Sequence, residues 1–267
     1  MNLVANARMY SVSPAAAVAW RRLLAHVIAS SGVAMDIIDH AYPEKLSELW
    51  ARPDLGCAFM CGWPFVREGG VKTLLAAPVP AADWSNGQPV YRSDFIVARD
   101  SRFRSLQDTF GRRFAFNALD SHSGYNAPRA HLAAFATHPR LFREVVGPFV
   151  THTRVVEAVA AGAAEVAAID SFSLMLLRRY AAELADRVRI VDSTAACPIP
   201  AFVASGLGDE DAARVRTALL NMDNDKDGRA LLADVCLLGF TEVEPTVYAA
   251  TQAMERDAVS LGYSAIV

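Results

Sequence analysis

The sequence predicts an α/β protein of two lobes joined by a hinge, with a ligand cleft between them. Three observations carry this. Short apolar runs alternate with longer amphipathic ones along the 267 residues, as strands alternate with helices. Several of the short runs are apolar throughout, as in a mostly parallel sheet covered on both faces. The strand and helix series also leaves a first lobe near residue 91 and returns near residue 200. Two such crossings make a hinge. The expected boundaries are residues 1–90 plus 200–267 for the first lobe and 91–199 for the second.

Leu3–Ala7 reads as the first strand. Pro14–Ala29 reads as a helix, because Ser13 is a good N-cap and Pro14 suits the first helical position. Ala34–Ile38 is a strand and Pro43–Trp50 a short helix. Leu55–Met60 and Thr73–Ala77 are strands too apolar to face water. In the second lobe Tyr91–Ala98 is a strand, Ser105–Phe110 a helical turn, Arg113–Asn117 a strand and Ser123–Ala136 a helix. Thr153–Ala161 is a helix, Val166–Ile169 a strand, Ser171–Leu184 a helix and Arg189–Val191 a strand. Pro198–Ala204 returns across the molecule, and 209–222, 227–238 and 244–261 read as closing helices.

Composition excludes several classes. Hydrophobic residues make up 53% of the chain, enough for a large core without metal or disulfide staples. The net charge of −3 argues against a nucleic-acid binder. No window approaches the ~18 apolar residues of a membrane span, so no direct membrane insertion is expected. No cationic segment followed by an apolar run opens the chain. It therefore reads as cytoplasmic, or as periplasmic with a leader removed. Cys57, Cys61, Cys197 and Cys236 match no zinc spacing and read as small buried hydrophobes. Asp223-Asn-Asp-Lys-Asp227-Gly228 opens like a calcium loop. Leu231 and Asp234 stand where later ligands belong, so the segment reads instead as a polar turn with Asp227 capping the next helix. No metal and no cofactor is expected.

Ligands of open α/β sheets bind beyond the carboxyl ends of strands, so the turns after strands are the places to look. Asn117-Ala-Leu-Asp-Ser121-His-Ser-Gly-Tyr-Asn-Ala-Pro128 joins a strand to a helix and carries two hydroxyls, an imidazole and a glycine. A helix start offers unpaired N–H groups and a partial positive charge, so this turn can cradle an anion without arginine or lysine. Ordinary capping is the plainer reading. Phe149-Val-Thr-His-Thr153 repeats the arrangement around Thr151 and His152. Val166-Ala-Ala-Ile-Asp170 ends a strand in a carboxylate, which either caps a helix or meets a protonated oxyanion or ammonium. Tyr10 and Trp63 follow strands and would wall a pocket, or belong to the core.

Taken together, these turns resemble the phosphonate/phosphite-type periplasmic solute-binding proteins of ABC importers. The segments that carry the resemblance are Tyr91-Arg-Ser-Asp-Phe-Ile-Val-Ala98, Ser105–Phe116, Ser121-His-Ser-Gly-Tyr-Asn-Ala-Pro128, Thr151-His152, Glu165–Asp170 and Cys197-Pro-Ile-Pro-Ala201, in that order. The resemblance implies a type II periplasmic-binding fold and capture of a small anionic ligand, phosphonate- or phosphite-like, with an ABC transporter permease as partner. It implies that Ser121, His122, Ser123, Gly124, Thr151, His152 and Asp170 contact the ligand, with Tyr10 and Trp63 as aromatic cover. His122 stands where the family's loop often has a hydroxyl. The alternative is a cytoplasmic enzyme on the same fold, acting on a small phosphorylated or pyrimidine-like metabolite. None of the common hydrolase, P-loop or dinucleotide motifs supports it.

Overall fold

The computed structural model describes residues 2–136 and 140–267. The chain forms two compact units, residues 1–91 with 198–248 and residues 92–197 with 249–267.

The first unit is built on a six-stranded sheet in the order Leu237–Thr241, Thr73–Pro80, Ala201–Ala204, Leu55–Met60, Leu3–Asn6, Met35–Ile37. Leu3–Asn6 runs parallel to both of its neighbours. Ala201–Ala204 lies antiparallel between Leu55–Met60 and Thr73–Pro80, so the sheet is mixed rather than mostly parallel. Leu55–Met60 is buried on both faces, as its unbroken apolar run requires. The helix Pro14–Ser31 starts where Ser13 Oγ accepts from the Ala16 N–H at 3.2 Å. It ends at Gly32, whose φ of +66° closes the last turn as only glycine does without strain. This helix packs beside Asp209–Leu220 and Lys226–Asp234. Lys226–Asp234 is capped by Asp225, not Asp227: the Asp225 carboxylate accepts from the Gly228 N–H at 2.7 Å.

Two elements differ from expectation here. The helix expected over 227–238 stops at Asp234, and Leu237–Thr241 becomes an edge strand paired with Thr73–Pro80. A leucine-rich stretch has no period of its own, and Cys236, at φ +60°, turns the chain out of the helix. Gly62–Arg67 is a short helix that the sequence pattern did not announce.

The second unit carries a five-stranded sheet in the order Val188–Ser193, Ser93–Ala98, Val166–Asp170, Arg113–Ala115, Glu144–Val146. The last three strands run parallel to one another, and Ser93–Ala98 is antiparallel to both of its neighbours. Arg113 fixes the parallel register. Its guanidinium holds Glu165 through two bonds of 3.1 and 2.9 Å, and its backbone N–H donates to the same carboxylate at 2.9 Å. Those bonds hold the Glu165 carboxyl below the usual range.

The core of this unit is rich in aromatics, with Phe95, Phe114 and Phe142 at its centre, and it includes Ala258, Tyr263 and Ile266. The closing helix, Ala249–Ser260, packs on Ala127–Ala133. Residues 249–267 therefore belong to the second unit, not to the first lobe as expected. The reason is burial: these residues complete a core whose other buried members run from Phe95 to Ala168.

Candidate functional site

Three neighbouring parallel strands of the second unit end along one sheet edge. Arg113–Ala115 leads into Asn117 and the Ser121–Gly124 turn, Glu144–Val146 into Thr151 and His152, and Val166–Asp170 ends on Asp170 itself. The antiparallel neighbour begins at the same edge, where Ser93 stands opposite Asp170. A strand order that puts three carboxyl ends side by side is the arrangement that gathers loop chemistry at one place.

The turn after Asn117 is a π-turn over His122–Asn126 that continues directly into the helix Ala127–Ala133. It is closed by the Asn126 N–H donating to the Ser121 carbonyl at 3.1 Å. Ser121 caps it, accepting from the Gly124 N–H at 3.0 Å. Such one-turn π segments are frequent at functional sites. Gly124 is required by close approach. A Cβ there would overlap the Asn117 amide, 2.5 Å from its Cγ and closer still to its oxygen. Asn117 is itself pinned, accepting from the Ala118 N–H at 2.8 Å.

His152 joins this turn from the neighbouring loop. Its Nε2 lies 3.3 Å from Ser123 Oγ and 3.5 Å from Asn117 Nδ2. Thr151 caps the helix His152–Ala160, accepting from the Arg154 N–H at 3.1 Å. The residue before it, Val150, has φ +67°, a left-handed conformation that a β-branched side chain adopts only under strain. Its N–H donates to the Asn117 carbonyl at 2.7 Å, which ties the two loops together.

Asp170 is buried and caps the helix Ser171–Tyr180, accepting from the Ser173 N–H at 2.8 Å. The hydroxyls of Ser93, opposite Asp170 on the neighbouring strand, and of Ser173, whose N–H donates to Asp170, are buried and have no hydrogen-bond partner among the described residues. His152 Nδ1 is in the same position.

Both histidines are held neutral. Burial pushes His122 down to about 3 and His152 down to about 4. They face different ways. The His152 ring meets Ser123 and Asn117, whereas His122 is fully buried with its Nδ1 against the Asn126 amide, 3.2 Å away. The structure thus brings Ser121, Ser123, Gly124, Thr151 and His152 to one sheet edge with Asp170, and turns the His122 ring toward a separate polar group.

Tyr10 and Trp63 lie in the first unit. Tyr10 is fully buried, stacked on Trp20 with centroids 6.2 Å apart and edge-on to Phe59 at 4.9 Å. Trp63 is buried under the guanidinium of Arg67, 4.9 Å from its ring. Sequence reasoning missed Asn117, Asn126 and Ser93. Their only signal was position, beside strand ends, and asparagine or serine there is common in turns.

The capping roles do not compete with anion binding. A capping hydroxyl uses its acceptor side and keeps its O–H as a donor. Ser121 and Thr151 therefore present O–H groups, and the two helical starts present N–H groups, at one edge. Among the described residues no group of His, Cys, Asp and Glu suited to hold a metal ion occurs. No helix among them is long and apolar enough to cross a membrane.

No curated protein sequence matches the chain. Solved structures do. A binding-protein component of an ABC phosphonate transporter from Pseudomonas aeruginosa is 18% identical, with a TM-score of 0.82, over 98% of this chain and 88% of that one. PhnD1 of Prochlorococcus marinus, in complex with methylphosphonate, is 15% identical with a TM-score of 0.79, over 95% and 97%. A Xanthomonas citri protein bound to ATP is 19% identical with a TM-score of 0.66, over 98% of both. At these identities the likeness establishes the two-lobed periplasmic-binding fold. The family model for the periplasmic phosphonate substrate-binding protein of ABC transporters matches residues 12–248. With most of its length inside that match, the chain belongs to the phosphonate-type periplasmic substrate-binding proteins, a non-enzymatic component of ABC importers.

Proposed function

We propose that the chain captures a small phosphorus oxyanion, of the alkylphosphonate or phosphite class, at the carboxyl edge of the second unit's sheet and delivers it to an ABC permease. The observation that carries this is the meeting of three strand ends on hydroxyls, helical N–H groups and a neutral imidazole. A tetrahedral anion needs several donors arranged around it. Ser121, Thr151 and the N–H groups of the two turns supply donors without a formal positive charge, joined by Ser123 when its O–H turns from His152 Nε2 to the ligand. Fixed dipoles of this kind bind anions strongly where water is excluded. The methylphosphonate in the Prochlorococcus relative supports the ligand class.

Asp170 enters as acceptor for the one proton of a monoanionic phosphonate, or for an ammonium group on the ligand. Its Oδ1 also accepts from the Ser173 N–H, which fixes the carboxylate at the end of its strand. Aromatic cover by Trp63 stays within the proposal, whereas Tyr10, fully buried between Trp20 and Phe59, takes its core reading. The check on Trp63 is a fluorescence change on adding methylphosphonate that disappears in Trp63→Phe.

The test is calorimetric titration of methylphosphonate, phosphite, phosphate, small sulfonates and dicarboxylates into the purified chain. A phosphorus oxyanion should bind well ahead of the carboxylates. Charge-assisted hydrogen bonds contribute roughly 1.5–3 kcal/mol each, so Ser121→Ala with Ser123→Ala should lower affinity more than about 100-fold while the fold persists. Unchanged affinity in that double variant would refute the site. Tight binding of a dicarboxylate alone would refute the ligand class.

A further inference from the structure

The buried polar group on the far side of the serine turn joins it to the end of the chain. Arg129, only 5% exposed, donates from Nη2 to Asn126 Oδ1 at 2.6 Å and from Nη1 to the Ser264 carbonyl at 2.8 Å. Glu255 lies 3.9 Å from the same guanidinium. Asn126 Nδ2 donates to the Thr251 carbonyl at 2.8 Å and to His122 Nδ1 at 3.2 Å. Thr251, Glu255 and Ser264 all lie beyond residue 248, where the family match ends.

Chemistry leaves this group one protonation pattern. A guanidinium has donors only, so the Asn126 atom facing Arg129 must be its oxygen. A backbone carbonyl only accepts, so the atom facing Thr251 must be the amide nitrogen. Two partners thus fix the amide's orientation independently. The amide nitrogen then donates to His122 Nδ1, which has to be unprotonated. The single proton of this neutral ring therefore sits on Nε2. The same Asn126 closes the π-turn through its backbone N–H. One residue consequently holds the turn's backbone and its central side chain together.

We propose that Arg129 and Asn126 are positioning residues of the ligand site: anchored by the segment 249–267, they lock His122 in its Nε2–H form and hold the Ser121–Gly124 turn in the shape that meets the ligand. This rests on the reading of that turn as the ligand contact. A π-turn carries one residue more than an α-turn and lacks its regular hydrogen bonds, so it persists only where its surroundings over-determine it. The buried network supplies that determination. The C-terminal segment is then part of the binding apparatus, although it contributes no residue to the cluster at the sheet edge.

The experiment uses the full chain with 15N-labelled histidine. Long-range 1H–15N spectra assign the His122 tautomer, and calorimetry with methylphosphonate reads affinity. The wild type should show His122 as a single Nε2–H tautomer. Arg129→Met should populate both tautomers and weaken methylphosphonate binding about tenfold or more. Arg129→Lys, which retains one donor toward Asn126, should restore the single tautomer and most of the affinity. A wild-type Nδ1–H tautomer overturns the proposal, whatever binds. So does an Arg129→Met variant whose melting temperature falls while tautomer and affinity stay unchanged, since that is a purely structural role. If Arg129→Met does not fold, the wild-type tautomer and the Arg129→Lys variant still decide. A wild type that binds no methylphosphonate refutes the ligand reading, and the positioning role falls with it, whereas the tautomer result reports on the network alone.

Discussion

Replacing Gly124 with alanine tests how the serine turn is built. The added Cβ would overlap the Asn117 side chain, lying 2.5 Å from Cγ and 3.0 Å from Nδ2. Asn117 has little room to yield, because its Oδ1 holds the Ala118 N–H and its carbonyl holds the Val150 N–H. Overpacking of this kind costs roughly 1–3 kcal/mol. Losing the Asn117 side-chain bond adds about 0.5–1.5 kcal/mol. The sum is about 1.5–4.5 kcal/mol, or roughly 3–18 °C of melting temperature for a chain of this size. Methylphosphonate binding should weaken as well, because Asn117 and Ser123 both abut His152. The decisive assay is the double variant Gly124→Ala with Asn117→Ala in thermal or urea unfolding. If the clash is the cause, removing the asparagine side chain recovers part of the lost stability, a coupling of about 1 kcal/mol or more. Strict additivity of the two single effects would refute the reasoning, and so would a Gly124→Ala protein as stable as wild type.

Other consequences are independent of this one. Burial holds His122 and His152 neutral, near 3 and 4 against an ordinary 6.5. The unfolded chain therefore binds more protons below about pH 6.5, and stability falls as pH drops from there toward 4. The slope approaches about 1.4 kcal/mol per pH unit for each ring; urea unfolding at pH 7, 6 and 5 measures it, and a flat profile contradicts it. Because neither histidine titrates between pH 6 and 8, the pH dependence of methylphosphonate affinity there should track the ligand's own ionisation. Calorimetry across that range would expose any additional protein proton. Val150→Gly should cost little or nothing in stability, since relief of the left-handed strain offsets glycine's entropy; a loss above about 2 kcal/mol would show that Val150 packing matters more. Truncation after Tyr248 should unfold the second unit, because Tyr263 and Ile266 complete its core, and retention of its near-ultraviolet signal would contradict that.

Local signals explain what was legible in the sequence. Leu55–Met60 has the bounds read from its apolar run, and Ser13 with Pro14 announces the first long helix. The turns at Ser121, Thr151 and Asp170 were visible because each places a capping residue between a strand and a helix. What stayed hidden is long-range. Asn126 meets Thr251 across 125 positions and Arg129 meets Ser264 across 135, and no periodicity reports such pairings. For the same reason residues 249–267 were assigned to the wrong unit. The direction of the His122 ring was equally hidden, since the extra residue of a π-turn shifts which side chains share a face. Leu237–Thr241 was misread because a short leucine-rich run suits a helix end and an edge strand alike. Tyr10 shows the converse: an aromatic at a strand end is as well suited to the core, and here Trp20 and Phe59 enclose it.

The central claim is that the oxyanion is held by the turns at one sheet edge of the second unit. Titrating methylphosphonate into uniformly 15N-labelled chain and following the backbone amides tests it most directly. The account predicts that the N–H signals of Ser121–Gly124, Thr151 and His152 move first and saturate together, with smaller shifts at Asp170 and Ser93. Saturable shifts confined to other residues, for example around the cavity of about 580 Å³ lined by Phe110, Phe135 and Leu141, would contradict it.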